Sequence, residues 1–379
     1  MIDARSLPAD TTLQADICIL GAGPVGMTLA LGLVGSGLQV LLLDSGGAAP
    51  DKMSRGLAAG ESVGVPYGPL EDTRARAVGG TAHLWDRTGV RMRPLSPEDF
   101  EPRPWVAESG WPIGLKDVAP YLSRACALFK TGSDDFTLTP GSTMGSDYLP
   151  LDTERLESLV FRYGNNKAFP EVHSQSLAAA PEVTLYSHAI AVDLLLAESG
   201  GRLSQVKGLA ADGTPFAIEA GRVVLACGGI ENARLLLASQ ALRALGPGRD
   251  WVGRCFMEHT TAVTGVLVSH DAAVSKAMED FYYFHEDARG VLTRRHLALS
   301  EQVLRAERIL GYSACFWRVE PDWLPDAFAA LAKRQLAASA GARKPELFAC
   351  SAMAEQAPNR DSRVTLSEQH DPLGQPLAR

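Results

Sequence analysis

The residues Gly21-Ala22-Gly23-Pro24-Val25-Gly26 carry three glycines at a spacing suited to a diphosphate. In such a turn the first glycine permits a tight bend after a strand. The second lets the backbone approach a pyrophosphate, and the third lets the next helix pack close to the strand. The helix then aims N–H groups and the positive end of its dipole at the phosphates. Context decides whether the pattern means anything. Here Asp44 stands 18 residues beyond Gly26, at the end of the next apolar run. A carboxylate at that place accepts hydrogen bonds from a ribose diol. The plainer reading is a tight turn in an α/β protein, with Asp44 as a turn residue or helix cap.

Three further clusters carry candidate chemistry. Arg76-Ala77-Val78-Gly79-Gly80-Thr81-Ala82-His83-Leu84-Trp85 offers paired glycines and a small hydroxyl residue, a backbone that a planar ring can touch. Its plainer reading is a loop with a buried Trp85. Val223-Val224-Leu225-Ala226-Cys227-Gly228-Gly229-Ile230-Glu231-Asn232-Ala233-Arg234 runs a buried strand through two glycines into a helix. It either brings a second backbone turn towards a ligand or is a glycine-rich corner. Val252 to His259 ends on Glu258-His259, which reads as a buried hydrogen-bonded couple, since a lone histidine near a strand is more often structural than catalytic. No H-E-x-x-H, G-x-S-x-G or P-loop pattern occurs, so metalloprotease, α/β-hydrolase and P-loop readings lose support.

These residues need a scaffold, and the chain provides one. Ala15–Leu20 and Gln39–Leu43 read as buried strands flanking a helix over Val25–Val34, a β-α-β unit with short connections. Residues 48–80 read as a long loop, and Asp117–Phe129 as a helix. Short strands are expected at Val183–Tyr186, Ile190–Leu196, Leu203–Ala210, Pro215–Glu219 and Arg222–Ala226, with Asp212-Gly213 as a hairpin turn and a helix over Asn232–Ser239. Further on, strands are expected near Thr261–Val268, Phe281–Phe284 and Ser362–Ser367, and helices near Ser300–Arg308 and Asp326–Ala338.

Composition bounds the function. A length of 379 residues suits two domains. The net charge of −8 gives no electrostatic case for nucleic acid or an anionic membrane. Met1–Gln14 lacks the apolar core of a secretory signal, and glycines interrupt the apolar run Val25–Leu43, so it does not read as membrane-spanning. Six scattered cysteines (Cys18, Cys126, Cys227, Cys255, Cys315, Cys350) form no C-x-x-C pair. Metal sites and disulfides are not expected, and a cytoplasmic location is.

In content and order, the clusters resemble the glucose-methanol-choline (GMC) oxidoreductase family. Gly21 to Gly26 with Asp44 looks like its N-terminal FAD motif, with Asp where the family usually has Glu. Arg76 to Trp85, followed by Arg93-Pro94-Leu95-Ser96-Pro97-Glu98-Asp99-Phe100, is similar to its flavin-contacting loop. Gly110-Trp111-Pro112-Ile113 leading to Pro120-Tyr121, Leu225 to Leu237, and Val252 to His259 match further family segments. Glu355-Gln356-Ala357-Pro358-Asn359 with Ser362 to Ser367 resembles a substrate-domain strand.

The resemblance implies an α/β fold: a doubly wound, Rossmann-like FAD-binding domain over 1–260, with an inserted segment at about 100–180. A second α+β domain over 261–379, built on an antiparallel sheet, would bind substrate and be incomplete at its C-terminus. It implies FAD as cofactor, held by Gly21, Ala22, Gly23, Pro24, Val25, Gly26, Asp44, Ser45, Gly79, Gly80, Thr81, His83, Leu84, Trp85, Ala189, Ala226, Cys227 and Gly228. The implied reaction is oxidation of the CH–OH group of an alcohol or sugar, with hydride passing to flavin N5. The family's active-site histidine, its partner and a last flavin-binding segment would lie beyond Arg379. The chain as given is therefore expected to oxidise alcohols poorly, and a partner chain is one source of the missing segment. No catalytic residue is assigned. Two alternatives remain, a flavin-dependent monooxygenase and an inactive FAD-binding fragment or subunit.

Overall fold

Thr11 to Leu20 alternates between more and less exposed residues and then ends on the fully buried Cys18, Ile19 and Leu20. Such a segment is half-solvated at one end and covered at the other. The next strand, Val40–Leu43, is buried throughout. The structure is a computed structural model that describes residues 1–85, 90–136, 151–152, 154–287, 289–339 and 344–379. Its strands, in chain order, are β1 (Ile2–Asp3), β2 (Thr11–Leu20), β3 (Val40–Leu43), β4 (Arg91–Met92), β5 (Leu156–Tyr163), β6 (Val183–Ser187), β7 (Ala189–Leu196) and β8 (Leu203–Ala210). They continue with β9 (Pro215–Leu225), β10 (Thr260–Ser269), β11 (His285–Glu286), β12 (Leu292–Leu299), β13 (Tyr312–Arg318), β14 (Glu346–Ala354), β15 (Leu366–His370) and β16 (Pro376–Ala378).

The chain divides into two compact units. The first holds residues 1–87, 165–256 and 359–379. Its main sheet has the order β1-β6-β3-β2-β9-β8-β7. From β1 to β9 every neighbouring pair is parallel, while β9, β8 and β7 pair antiparallel. Leu20 is in register with both Leu43 and Leu225, so three strands end together at one edge of the sheet. Beneath that edge Cys18, Leu20, Leu41, Leu43, Val206, Ile218 and Leu235 share one buried cluster. Each fully buried aliphatic side chain contributes roughly 1.5–3 kcal/mol. The mixed sheet agrees with the α/β expectation. The two short runs expected at 215–219 and 222–226 are one strand, β9, because Gly221 lets the chain lie against Asp16 O, where a Cβ would come within 3.0 Å.

The hairpin β15–β16 also belongs to this unit and is tied down by Arg234. Its Nε donates to Pro376 O at 2.6 Å, and its Nη2 pairs with the Asp371 carboxylate at 2.6 Å, both residues being buried. The final strand therefore starts at Leu366, later than the alternation from Ser362 predicts, because residues 362–364 instead pair with the 253–256 segment through Phe256 N–H to Ser362 O and Val364 N–H to Gly253 O.

The second unit, residues 88–164 and 257–358, has a separate sheet in the order β10-β14-β13-β12-β5-β4. All its pairs are antiparallel. Residues 88–164 join it because β5 hydrogen-bonds to β12 along its length, Leu156 opposite Leu299 through Arg162 opposite Thr293. Phe281, predicted to open a strand, instead closes the helix Ala272–Phe281, which Asp271 caps through the Ala273 and Val274 N–H groups. The predicted loop at 48–80 contains two short helices, Lys52–Leu57 and Leu70–Thr73, the first opened by a reciprocal Asp51–Ser54 capping box. Among the described residues no helix is long and apolar enough to cross a membrane.

Replacing Arg234 by alanine strands the Asp371 carboxylate in a buried setting. Loss of one partner of a buried pair costs about 3–5 kcal/mol. Urea unfolding of Arg234→Ala is expected to show that loss, and limited proteolysis to open the 371–375 turn first. An unchanged midpoint contradicts this role.

Candidate functional site

The three strands that end together deliver three glycine-bearing turns to one edge. Gly21 follows β2 with φ +105 and donates its N–H to Leu43 O at 2.8 Å. A side chain there would come within 2.5 Å of Ala226 O, the residue after β9. The turn after β2 thus rests directly on the turn after β9. A third segment lies across the first: Gly79 N–H donates to Ala22 O at 2.8 Å, and a Cβ on Gly80, whose φ is +57, would meet Gly23 Cα at 2.7 Å. The predicted clusters around Gly21, Gly79 and Gly228 are brought together by backbone contact.

Gly23 itself is different. A Cβ there would meet one atom, Gly80 Cα, at an ordinary 3.7 Å. Gly23 is also the N-cap of the helix Pro24–Leu33 and gives it no side-chain cap. At the neighbouring turn, Gly228 caps the helix Gly229–Ala238, again without a side-chain cap, and neither Gly228 nor Gly229 has an atom within 4 Å of where a Cβ would stand. Two helix starts with uncovered backbone therefore lie at adjacent strand ends. Val25, on the first of them, is exposed.

Asp44 is buried and already serves the turn. Its Oδ2 accepts the Ala22 N–H at 3.0 Å and its Oδ1 the Gly46 N–H at 2.9 Å. Burial pushes the carboxyl up to about 6, against the pull of those two N–H groups and of Arg76 and His83. Its backbone accepts the Ala189 N–H at 2.8 Å and donates to Tyr186 O, while His188 donates to Gly46 O, so the 186–189 turn interleaves with Asp44-Ser45-Gly46. Ala189 thereby joins the site.

Thr81, His83 and Leu84 lie on the short helix Gly80–Leu84. His83 Nε2 donates to Val78 O at 2.9 Å. Trp85 O accepts from Asn166 Nδ2 at 2.7 Å. Asp86, the carboxylate nearest His83 in sequence, lies outside the described residues. Cys227 donates its thiol to Leu20 O at 3.1 Å, and burial pushes that thiol up to about 12, so it stays neutral. Glu258 and His259 are exposed, not a buried couple; the Glu258 N–H donates to Gln356 Oε1. Among the described residues no group of three or more His, Cys, Asp or Glu is placed to hold a metal ion.

A charged node escaped the sequence reading. Glu231, on the first turn of the Gly229–Ala238 helix, pairs with Arg74 at 2.8 Å, with Arg76, and with Arg234 at 3.3 Å. Burial works to raise the Glu231 carboxyl, but the three guanidinium groups outweigh it and hold it below its usual range. The node ties the segment before Gly79-Gly80 to the helix after Gly228-Gly229. The arginines at 74 and 76, just before paired glycines, and a glutamate just after another pair were the available signal.

No protein-family model matches the chain, and no curated protein matches it. Solved structures with similarity include formate oxidase, at 16% identity and a TM-score of 0.49 over 98% of this chain and 77% of that one. A variant of the formate oxidase of Aspergillus oryzae RIB40 gives 16% and 0.47, with the same coverage. Pyridoxine 4-oxidase from Mesorbium loti gives 15% and 0.49 over 96% of this chain and 75% of that one. Likeness at this level carries no information about chemistry.

The raised Asp44 carboxyl has a signed consequence. The folded chain holds this proton more tightly than the unfolded one, whose value is near 3.8. The contribution to stability is therefore full below that value and falls as pH rises through about 6. Denaturant titrations of the ligand-free chain at pH 4 and pH 7 are expected to show a decline of roughly 2–3 kcal/mol that Asp44→Asn lacks. Equal pH dependence in both chains contradicts it.

Proposed function

We propose that this edge of the first unit binds FAD and that the chain is an FAD-dependent oxidoreductase of GMC type acting on a CH–OH group. One observation carries the reading: three glycine-bearing turns meet by backbone contact, and the glycine of the three-glycine turn that no protein atom crowds is Gly23. A pyrophosphate needs that opening. A protein that only required tight turns has use for Gly21 and Gly80, but no steric use for Gly23.

In this reading Gly23, Pro24 and Val25 flank the pyrophosphate, with Gly21, Ala22 and Gly26 shaping the turn beneath. Ala226, Cys227 and Gly228 bring the second helix start to the same group. Asp44 and Ser45 serve the adenosine ribose. Each Asp44 oxygen, having accepted one N–H, keeps a lone pair for a hydroxyl. Ala189 lies on the adenine side. Gly79, Gly80, Thr81, His83, Leu84 and Trp85 line the ring. When bound, FAD supplies the acceptor for hydride from an alcohol or sugar. The protein's own part is to fix the dinucleotide by backbone donors and to keep Cys227 as an unreactive thiol. His83, committed through Nε2 to Val78 O, is a brace for the Gly79-Gly80 turn.

Calorimetry separates this from an NAD-binding protein. The purified or reconstituted chain is expected to take up FAD in preference to NAD, with a visible flavin spectrum. Gly23→Val should unfold at nearly the wild-type midpoint, since its Cβ has room, yet lose FAD binding. Asp44→Ala should weaken binding by about 1–3 kcal/mol. Preference for NAD, or wild-type FAD affinity in Gly23→Val, overturns the proposal.

A further inference from the structure

The second unit buries a cation that no carboxylate among the described residues answers. Side chains alternate across a strand, so Arg294 and His296 of β12 share one face of the sheet. Phe161 of β5 stands opposite Arg294, and Arg91 of β4 stands opposite Tyr163 of β5, which puts Arg91, Tyr163 and Phe161 on the same face. Arg294 is 1% exposed. Its Nε donates to Tyr282 O at 3.0 Å and its Nη2 to Phe316 O. Its guanidinium lies 4.0 Å from the ring centre of Trp317 and 4.7 Å from that of Phe284. Carbonyls and aromatic faces ease the burial of a cation without neutralising it.

The surroundings add positive charge. Arg91 is exposed, and its guanidinium reaches Met353 Sδ at 3.1 Å and the Tyr163 hydroxyl. No carboxylate pairs with Arg91 or Arg294 among the described residues. His296 is also 1% exposed, stacked on Phe161 at 3.9 Å and hydrogen-bonded to the Tyr163 hydroxyl at 3.2 Å. Its Nδ1 is buried with no hydrogen-bond partner. Burial pushes His296 down to about 3, and the charges of Arg294 and Arg91 act in the same direction. Elsewhere in the same unit the buried Arg162 has its counter-ion, Asp287, at 2.9 Å. The contrast is local to this face.

We propose that this face of the second unit binds a small oxyanion, a carboxylate or a phosphate. Arg91 contacts it, Tyr163 and His296 form its polar floor, and Arg294 supplies a charge that no carboxylate among the described residues balances. An accessible guanidinium is suited to grip two oxygens of such an anion. The site needs no dinucleotide and stands or falls apart from the flavin reading.

The test uses the full chain and NMR of its histidine rings, with the His296 signal assigned by its loss in His296→Gln. Sodium acetate and inorganic phosphate are titrated separately at constant ionic strength. A saturating shift of the His296 signal with either anion supports the site and says which class it takes. In Arg91→Ala the affinity should fall about tenfold to a hundredfold, as for loss of a charge-assisted contact. Arg91 is exposed, so this variant should fold. Arg305→Ala, which removes an exposed arginine elsewhere in the unit, should bind as the wild type does. A response that never saturates with either anion overturns the proposal. So does equal affinity in the wild type and Arg91→Ala, which would make Arg294 a strut held by its aromatic neighbours.

Discussion

The first unit depends on backbones that touch with no side chain between them. Gly21 lies on Ala226 and Gly80 lies on Gly23. Each contact fixes the distance between two segments far apart in sequence. The parallel strands β2, β3 and β9 end in register, so the turns they feed fall at one edge. This is the edge where parallel sheets place their ligands, beyond the carboxyl ends of strands on either side of a change in direction of winding. A Cβ at Gly21 or Gly80 would force the turns apart, and the two helix starts would separate with them.

Charge is buried in two ways. Around Glu231 the first unit surrounds one carboxylate with three guanidinium groups, and Arg234 passes the connection on to Asp371. Removing Glu231 would leave Arg74 and Arg76 without their carboxylate, so the node holds the glycine segments in register with the helix behind them. The second unit sets Arg294 among carbonyls and rings, with Arg91 nearby. The first arrangement pairs its arginines directly with carboxylates. The second holds its cation by carbonyls and rings, with no carboxylate paired to it among the described residues.

Much of the first unit was legible in the sequence. Strand β2, the helix after it and β3 follow from short apolar runs broken by glycines, because local pattern and tertiary role coincide there. The helix Asp326–Ala338 was legible for the same reason. Phe281 was misread because an aromatic run resembles a strand, whereas Asp271 ten residues earlier caps a helix that ends on it. Strands β5, β13 and β14 passed unnoticed. Their faces are buried by partners distant in sequence, so their local alternation is weak.

The sequence by itself determined where backbone had to come close: the glycines at 21, 26, 79 and 80 carry that information, because only a missing side chain permits it. It also determined the α/β alternation that sets Asp44 at a strand end. Only the tertiary structure decided which glycines meet each other and which one stays open. It also decided that Asp44 braces Ala22 and Gly46, that Glu231 gathers three arginines, and that Arg294 and Arg91 share a face. Spacing along a chain fixes local geometry, whereas the balance of charge and the room above a Cα depend on neighbours that the fold brings from elsewhere.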